Sequence, residues 1–143
     1  MAILGGGPGG PVGSSNSFVG PQEALELVGN HCYAYSGVIL SAGSQSAATT
    51  RTNIFTTGNY YSDVIVSWAN EQVSGTADNF VEIKMNGAII YQWRAQTGAQ
   101  SNETNPKNLH LIIPSYTEVE VLVGTSADPV NWTMVIAGRI YRG

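Results

Sequence analysis

Charge is what this chain most lacks. Asp, Glu, Lys and Arg make up only 11% of its 143 residues, against roughly 25% in an average soluble domain. A surface this poor in charge favours association. The six basic side chains, Arg51, Lys84, Arg94, Lys107, Arg139 and Arg142, are scattered, and the formal net charge is -4. Nucleic-acid recognition draws on a basic stripe or patch, so no nucleic-acid partner is expected.

Cysteine and histidine are almost missing. Cys32 stands alone, which excludes an intrachain disulfide and a cysteine-built zinc site and suits a small buried hydrophobe on a strand. His31 lies beside it, but neighbours on a strand point to opposite faces and do not form a Cys-His dyad. His110, in Leu109-His110-Leu111, reads as a strand-edge imidazole bonded to backbone. Long apolar runs are absent too. Nothing approaches the roughly 18 residues of a membrane span, and no basic segment precedes an apolar one at the N-terminus as in a secretory signal. No membrane partner is expected, and the sequons Asn102-Glu103-Thr104 and Asn131-Trp132-Thr133 read as chance.

Groupings that carry chemistry are equally scarce. Glu118 and Glu120 lie two apart on one strand, roughly 6.6 Å from Cβ to Cβ, near a glycosidase carboxylate spacing. Glycosidase pairs converge across a cleft from different strands, however, and two glutamates on one outer strand face suit a solvated edge. A calcium loop needs several carboxylates, whereas the turns at 74–79 and 125–128 offer only Asp78 and Asp128. Gly5-Gly6-Gly7-Pro8-Gly9-Gly10 lacks the Lys-Ser/Thr, strand and helix of a phosphate loop. No catalytic residue, cofactor or metal ligand is expected, and enzyme is the least supported class.

What the chain has in quantity is strand and turn material: 17 Gly, seven Tyr and three Trp, with much Thr, Val and Ile. Its strongest local signal is Asn86-Gly87 between the alternating runs 80–85 and 88–94, a two-residue hairpin turn whose positions both need positive φ. An unbroken register pairs Met85 with Ala88, Ile83 with Ile90 and Val81 with Gln92 on one face. The other face pairs Lys84 with Ile89, Glu82 with Tyr91 and Phe80 with Trp93. The first face is expected to be core; the second is amphipathic and aromatic, unlike a solvated sheet face.

Residues 1–20 are dominated by Gly and Pro and form neither helix nor regular strand, an extended arm whose Ile3, Leu4, Val12, Phe18 and Val19 could anchor on a partner. Residues 21–143 form the domain. Pro21 to Gly29 suits a short helix by its proline and acidic first turn and a strand by its alternating Leu25 and Leu27, with extended structure preferred. Eight strands are expected near 31–40, 49–56, 60–69, 80–86, 88–95, 109–113, 117–123 and 132–141, separated by Gly, Pro, Ser, Asn and Asp turns. That spacing indicates a single antiparallel β-sandwich, jelly-roll-like, within the all-β class. Val64, Val66 and Trp68, the trio Val119, Val121 and Val123, and Trp132, Met134, Ile136 and Ile140 are expected to point inward. The last strand is apolar on its outward side as well, and Gly138 within it indicates a bulge or a close backbone approach.

A Gly/Pro-rich leader, then Phe55-Thr56-Thr57-Gly58-Asn59-Tyr60-Tyr61, Val81-Glu82-Ile83-Lys84-Met85-Asn86-Gly87, Leu111-Ile112-Ile113-Pro114 and Ala137-Gly138-Arg139-Ile140-Tyr141, resembles small jelly-roll virion proteins of tailed phages, such as capsid decoration (cement) proteins and related coat components. The resemblance implies a non-enzymatic role on the capsid surface of a virion. It also implies partners in the major capsid protein and in further copies of the chain, commonly as a homotrimer. The candidate interface residues are Phe80, Ile89, Tyr91 and Trp93 together with the arm's five anchors. The alternative is a lectin-like carbohydrate-binding module, since sugars stack on exposed aromatics and Tyr60, Tyr61, Trp68, Tyr91, Trp93 and Trp132 supply candidates.

Overall fold

The computed structural model describes residues 24–70, 77–97 and 107–142. The arm, with Ile3, Leu4, Val12, Phe18 and Val19, lies outside the described residues. Within them the chain forms nine strands and no helix: β1 (Glu26–Val28), β2 (His31–Leu40), β3 (Thr50–Thr56), β4 (Tyr61–Asn70), β5 (Ala77–Met85), β6 (Ala88–Thr97), β7 (Lys107–Ile113), β8 (Glu118–Thr125) and β9 (Asn131–Tyr141). The eight expected strands are all present, and the undecided segment before residue 30 supplies the short extended β1.

The strands pair antiparallel in nested fashion about the Asn86-Gly87 turn: β5 with β6, β4 with β7, β3 with β8, and β2 with β9. The chain is thus one long hairpin, rolled up so that β9 also meets β4 and β8 also meets β5. Rolling divides it into a five-stranded sheet, β1-β2-β9-β4-β7, and a four-stranded sheet, β3-β8-β5-β6. This nesting of eight strands is the jelly-roll arrangement. At the apex both turn residues have positive φ, 50° at Asn86 and 82° at Gly87, as the type I′ turn demands. Asn86 also ties the apex to β8, since its N–H donates to Glu118 O at 2.8 Å and its Oδ1 accepts from Glu118 N at 2.9 Å.

Alternation fills the space between the sheets. Val64, Val66 and Trp68 of β4, Val119, Val121 and Val123 of β8, and Trp132, Met134, Ile136 and Ile140 of β9 are all buried there, as their period of two requires. Cys32 and Ala34 of β2 join the same core. Burial pushes the Cys32 thiol above its ordinary range, against the lowering influence of Ser62 and the Gly138 backbone. Gly138 answers to a close backbone approach: a Cβ there would lie 2.0 Å from the Asp63 carbonyl oxygen on β4.

Three bulges adjust the faces. On β2, Ser36 and Gly37 together oppose Met134; Gly37 takes φ 68°, and the Met134 N–H donates to Ser36 Oγ at 2.8 Å. On β3, Thr52 is the extra residue. The third bulge corrects the expected hairpin register. Met85 faces Ala88 and Lys84 faces Ile89 as the turn dictates, but Ile83 then faces Tyr91, Glu82 faces Gln92, Val81 faces Trp93 and Phe80 faces Arg94. Ile90 is the inserted residue. Because one extra residue flips every later side chain, Tyr91 and Trp93 join Val81 and Ile83 on the inner side and pack against the core.

Candidate interaction surface

The two outer faces differ in chemistry. On the four-stranded sheet, charged and polar side chains partner one another. Arg51 Nε donates to Glu120 Oε2 at 2.9 Å, Gln92 Nε2 donates to Glu82 Oε2 at 2.8 Å, and Arg94 bonds to Asp78 while its guanidinium lies 5.5 Å over the Phe80 ring. Glu118 and Glu120 therefore sit on the outer face of an internal strand, not on a sheet edge. Glu120 is held by Arg51, and the two glutamates do not face each other across a cleft.

The five-stranded sheet presents the apolar face. Its register lays side chains out in rows across β2, β9, β4 and β7: Tyr35, Val135, Ser67 and Asn108 form one row, and Tyr33, Ala137, Ile65 and His110 the next. His31, Arg139, Asp63 and Ile112 form a third. Ile65 is 49% exposed, Ile112 53% and Val135 41%, and the strands' inward neighbours are buried, so these side chains point outward by alternation. Tyr33 and Tyr35 lie 4.8 Å apart, and Tyr61 stacks on Tyr141 at 5.3 Å and 18°. Apolar neighbours on adjacent outward positions form a patch of the kind that marks an interaction site.

Charge enters this face mainly along the third row. His110 Nε2 pairs with the Asp63 carboxylate, a side-chain partner in place of the backbone bond expected from sequence. Arg139 stands opposite Asp63 in the ladder. His31 is exposed and Cys32 buried, on opposite sides of β2, so no thiol-imidazole pair forms. Among the described residues, no group of three His, Cys, Asp or Glu is placed to hold a metal ion, and no helix is long and apolar enough to cross a membrane.

Of the interface candidates on the hairpin, the structure leaves Ile89 outward and 52% exposed, with the inserted Ile90 beside it. Phe80 is buried beneath Arg94, and Tyr91 and Trp93 face the core, where their rings lie 6.1 Å and 5.7 Å from that of Trp68. The sugar-stacking candidates fare similarly. Trp68 and Trp132 are buried, Tyr60 packs on the core, and Tyr61 is the one of the six exposed to solvent. The aromatic surface expected on the hairpin is thus built on the opposite sheet, by Tyr33, Tyr35, Tyr61 and Tyr141. Outward apolar residues at Ile65, Ile112 and Val135 were its readable signal, but strand order was needed to bring them together. Compared with known proteins, the chain matches no family model and shows no significant similarity to a curated protein.

Proposed function

We propose that the chain is a non-enzymatic structural subunit of a virion, a capsid decoration (cement) protein that docks on other shell subunits, copies of itself included, through the outer face of its five-stranded sheet. The observation that carries this reading is the uneven surface: on the four-stranded sheet the exposed large apolar residues among those described are Ile89 and Ile90 near the hairpin tip, whereas Ile65, Val135, Ile112, Tyr35 and the Tyr61–Tyr141 stack lie exposed and adjacent on the other. The central strands run ten and eleven residues. At about 3.3 Å per residue and about 4.8 Å between strands, the face spans on the order of 600 Å². Two such faces in contact would bury on the order of 1,200 Å², the lower end of stable interfaces. Arg139 beside Asp63 gives the face both signs of charge, so it opposes neither a second copy nor a mixed partner. The resemblance to jelly-roll virion proteins supplies the setting, and the N-terminal arm of residues 1–20 is the proposed second attachment to the major capsid protein.

Light scattering tests this directly. The wild-type chain should exceed its 15.1 kDa monomer mass, and Ile65→Asp and Val135→Asp should fall to monomer while staying folded. Added to capsids stripped of the protein, wild type should rebind and Ile65→Asp should not. A monomeric wild type that also fails to rebind capsids would refute the reading.

A further inference from the structure

The outer face of the four-stranded sheet holds a recess that docking through the other sheet leaves open. Its floor is Phe80 and Glu82 on β5, one wall is Gln92 and Arg94 on β6, and the other is the 46–48 segment of the β2–β3 connection. That segment lies across β8 because Gly124 has no side chain: a Cβ there would stand 2.5 Å from the Ala47 carbonyl oxygen. Backbone bonds from Gln45 N to Thr125 O and from Thr49 N to Val123 O pin the segment at both ends. The wall is therefore a built feature of the fold.

The recess holds about 180 Å³, less than the roughly 300–1,000 Å³ that encloses a drug-sized ligand and suited to a single sugar ring. The two charged residues that line it, Glu82 and Arg94, are of opposite sign, and each has an ion-pair partner just outside, Lys84 and Asp78, so the recess prefers neither anion nor cation. Glu82 is 9% exposed. Its Oε2 accepts from Gln92, but its Oε1 meets Lys84 Nζ only at 3.8 Å, too far for a hydrogen bond, so an almost buried carboxylate keeps acceptor capacity. The Gln92 amide and the exposed Arg94 guanidinium add further groups at the rim. A ligand matching this set is neutral, compact and dense in hydroxyls.

We propose that this recess binds one unit of a neutral carbohydrate, with Glu82 accepting from a pair of hydroxyls and Gln92 and Arg94 completing the polar contacts. This differs from sugar stacking on exposed tryptophans, which the inward Trp68, Trp93 and Trp132 do not permit, and it is independent of docking through the opposite sheet.

Saturation-transfer NMR and calorimetry with the methyl glycosides of glucose, galactose, mannose and N-acetylglucosamine test it, with arginine methyl ester and sulfate as charged controls. At least one glycoside should bind saturably, at least tenfold more tightly than either control. Gln92→Ala should weaken that binding at least tenfold while the chain stays folded. Glu82→Ala should abolish it, and Ile65→Asp on the other sheet should leave it unchanged. No saturable glycoside binding, binding unaltered in Gln92→Ala, or preference for a charged control would each overturn the proposal. None of these outcomes depends on whether the chain oligomerises.

Discussion

Trp68 of the five-stranded sheet and Trp93 of the four-stranded sheet meet edge to face, with ring centroids 5.7 Å apart and planes at 65°. The contact spans the sandwich, and it exists only because the Ile90 bulge turns Trp93 inward. Edge-on aromatic pairs contribute about 0.5–1.5 kcal/mol beyond their buried area. With the cavity left behind, Trp93→Ala should cost about 3–5 kcal/mol, read as a lower urea midpoint. Trp93→Asp should unfold the chain, whereas Ile65→Asp, on the proposed docking face, should leave it folded. A well-folded Trp93→Asp monomer would place that indole on the surface and contradict the packing.

The bulge itself makes a second prediction. Deleting Ile90 restores an unbroken two-residue hairpin and returns Tyr91 and Trp93 to the outer face, trading two buried aromatics for exposed ones. The deletion variant should bind a hydrophobic dye, lose several kcal/mol of stability and aggregate. If it melts at the wild-type temperature, the inward register of β6 is wrong.

These two variants also locate what was readable beforehand. Period-two alternation placed Val64, Val66, Trp68, Val119, Val121, Val123 and Met134 correctly, because each lies on a strand whose inward side faces the core without interruption. The same rule misplaced Tyr91 and Trp93, since no residue type near Ile89-Ile90 announces an insertion: both are good strand formers, and the bulge lacks the glycine that marks the one at Gly37. The apolar face was legible only in fragments. Ile65 sits on β4, Ile112 on β7 and Val135 on β9, and they become neighbours through the rolled hairpin, a relation that depends on long-range pairing. The recess was invisible for the same reason, as Gly124 and Ala47 are far apart in sequence and only the crossing of the chain over β8 gives the glycine its meaning.

At the apex, Gly87 holds φ 82° with open space around it, so a side chain there meets backbone strain alone. Gly87→Ala should cost about 1 kcal/mol. Asn86→Gly keeps the left-handed conformation but removes the acceptor for the Glu118 N–H, for a loss of about 0.5–1.5 kcal/mol. Chemical denaturation resolves both. An unchanged midpoint in Asn86→Gly would mean that water replaces the amide without loss.

Gly138 and Cys32 face each other in the β2–β9 ladder, and the thiol's raised pKa gives stability a pH dependence with a definite sign. In the unfolded chain the thiol ionises near its ordinary value of 9.0, while in the folded protein it holds its proton to higher pH. Between those two values the folded state binds more protons than the unfolded one, so stability falls as pH rises. The Cys32 contribution is fully present below about pH 9 and is lost above it. The urea midpoint of wild type should therefore drop more steeply from pH 8 to pH 10 than that of Cys32→Ala, which controls for everything common to both. The buried thiol should also react slowly with iodoacetamide at pH 8, because the thiolate is the reactive form. Rapid alkylation of the folded protein, or parallel midpoint curves for the two proteins, would show that Cys32 is not held protonated in the core.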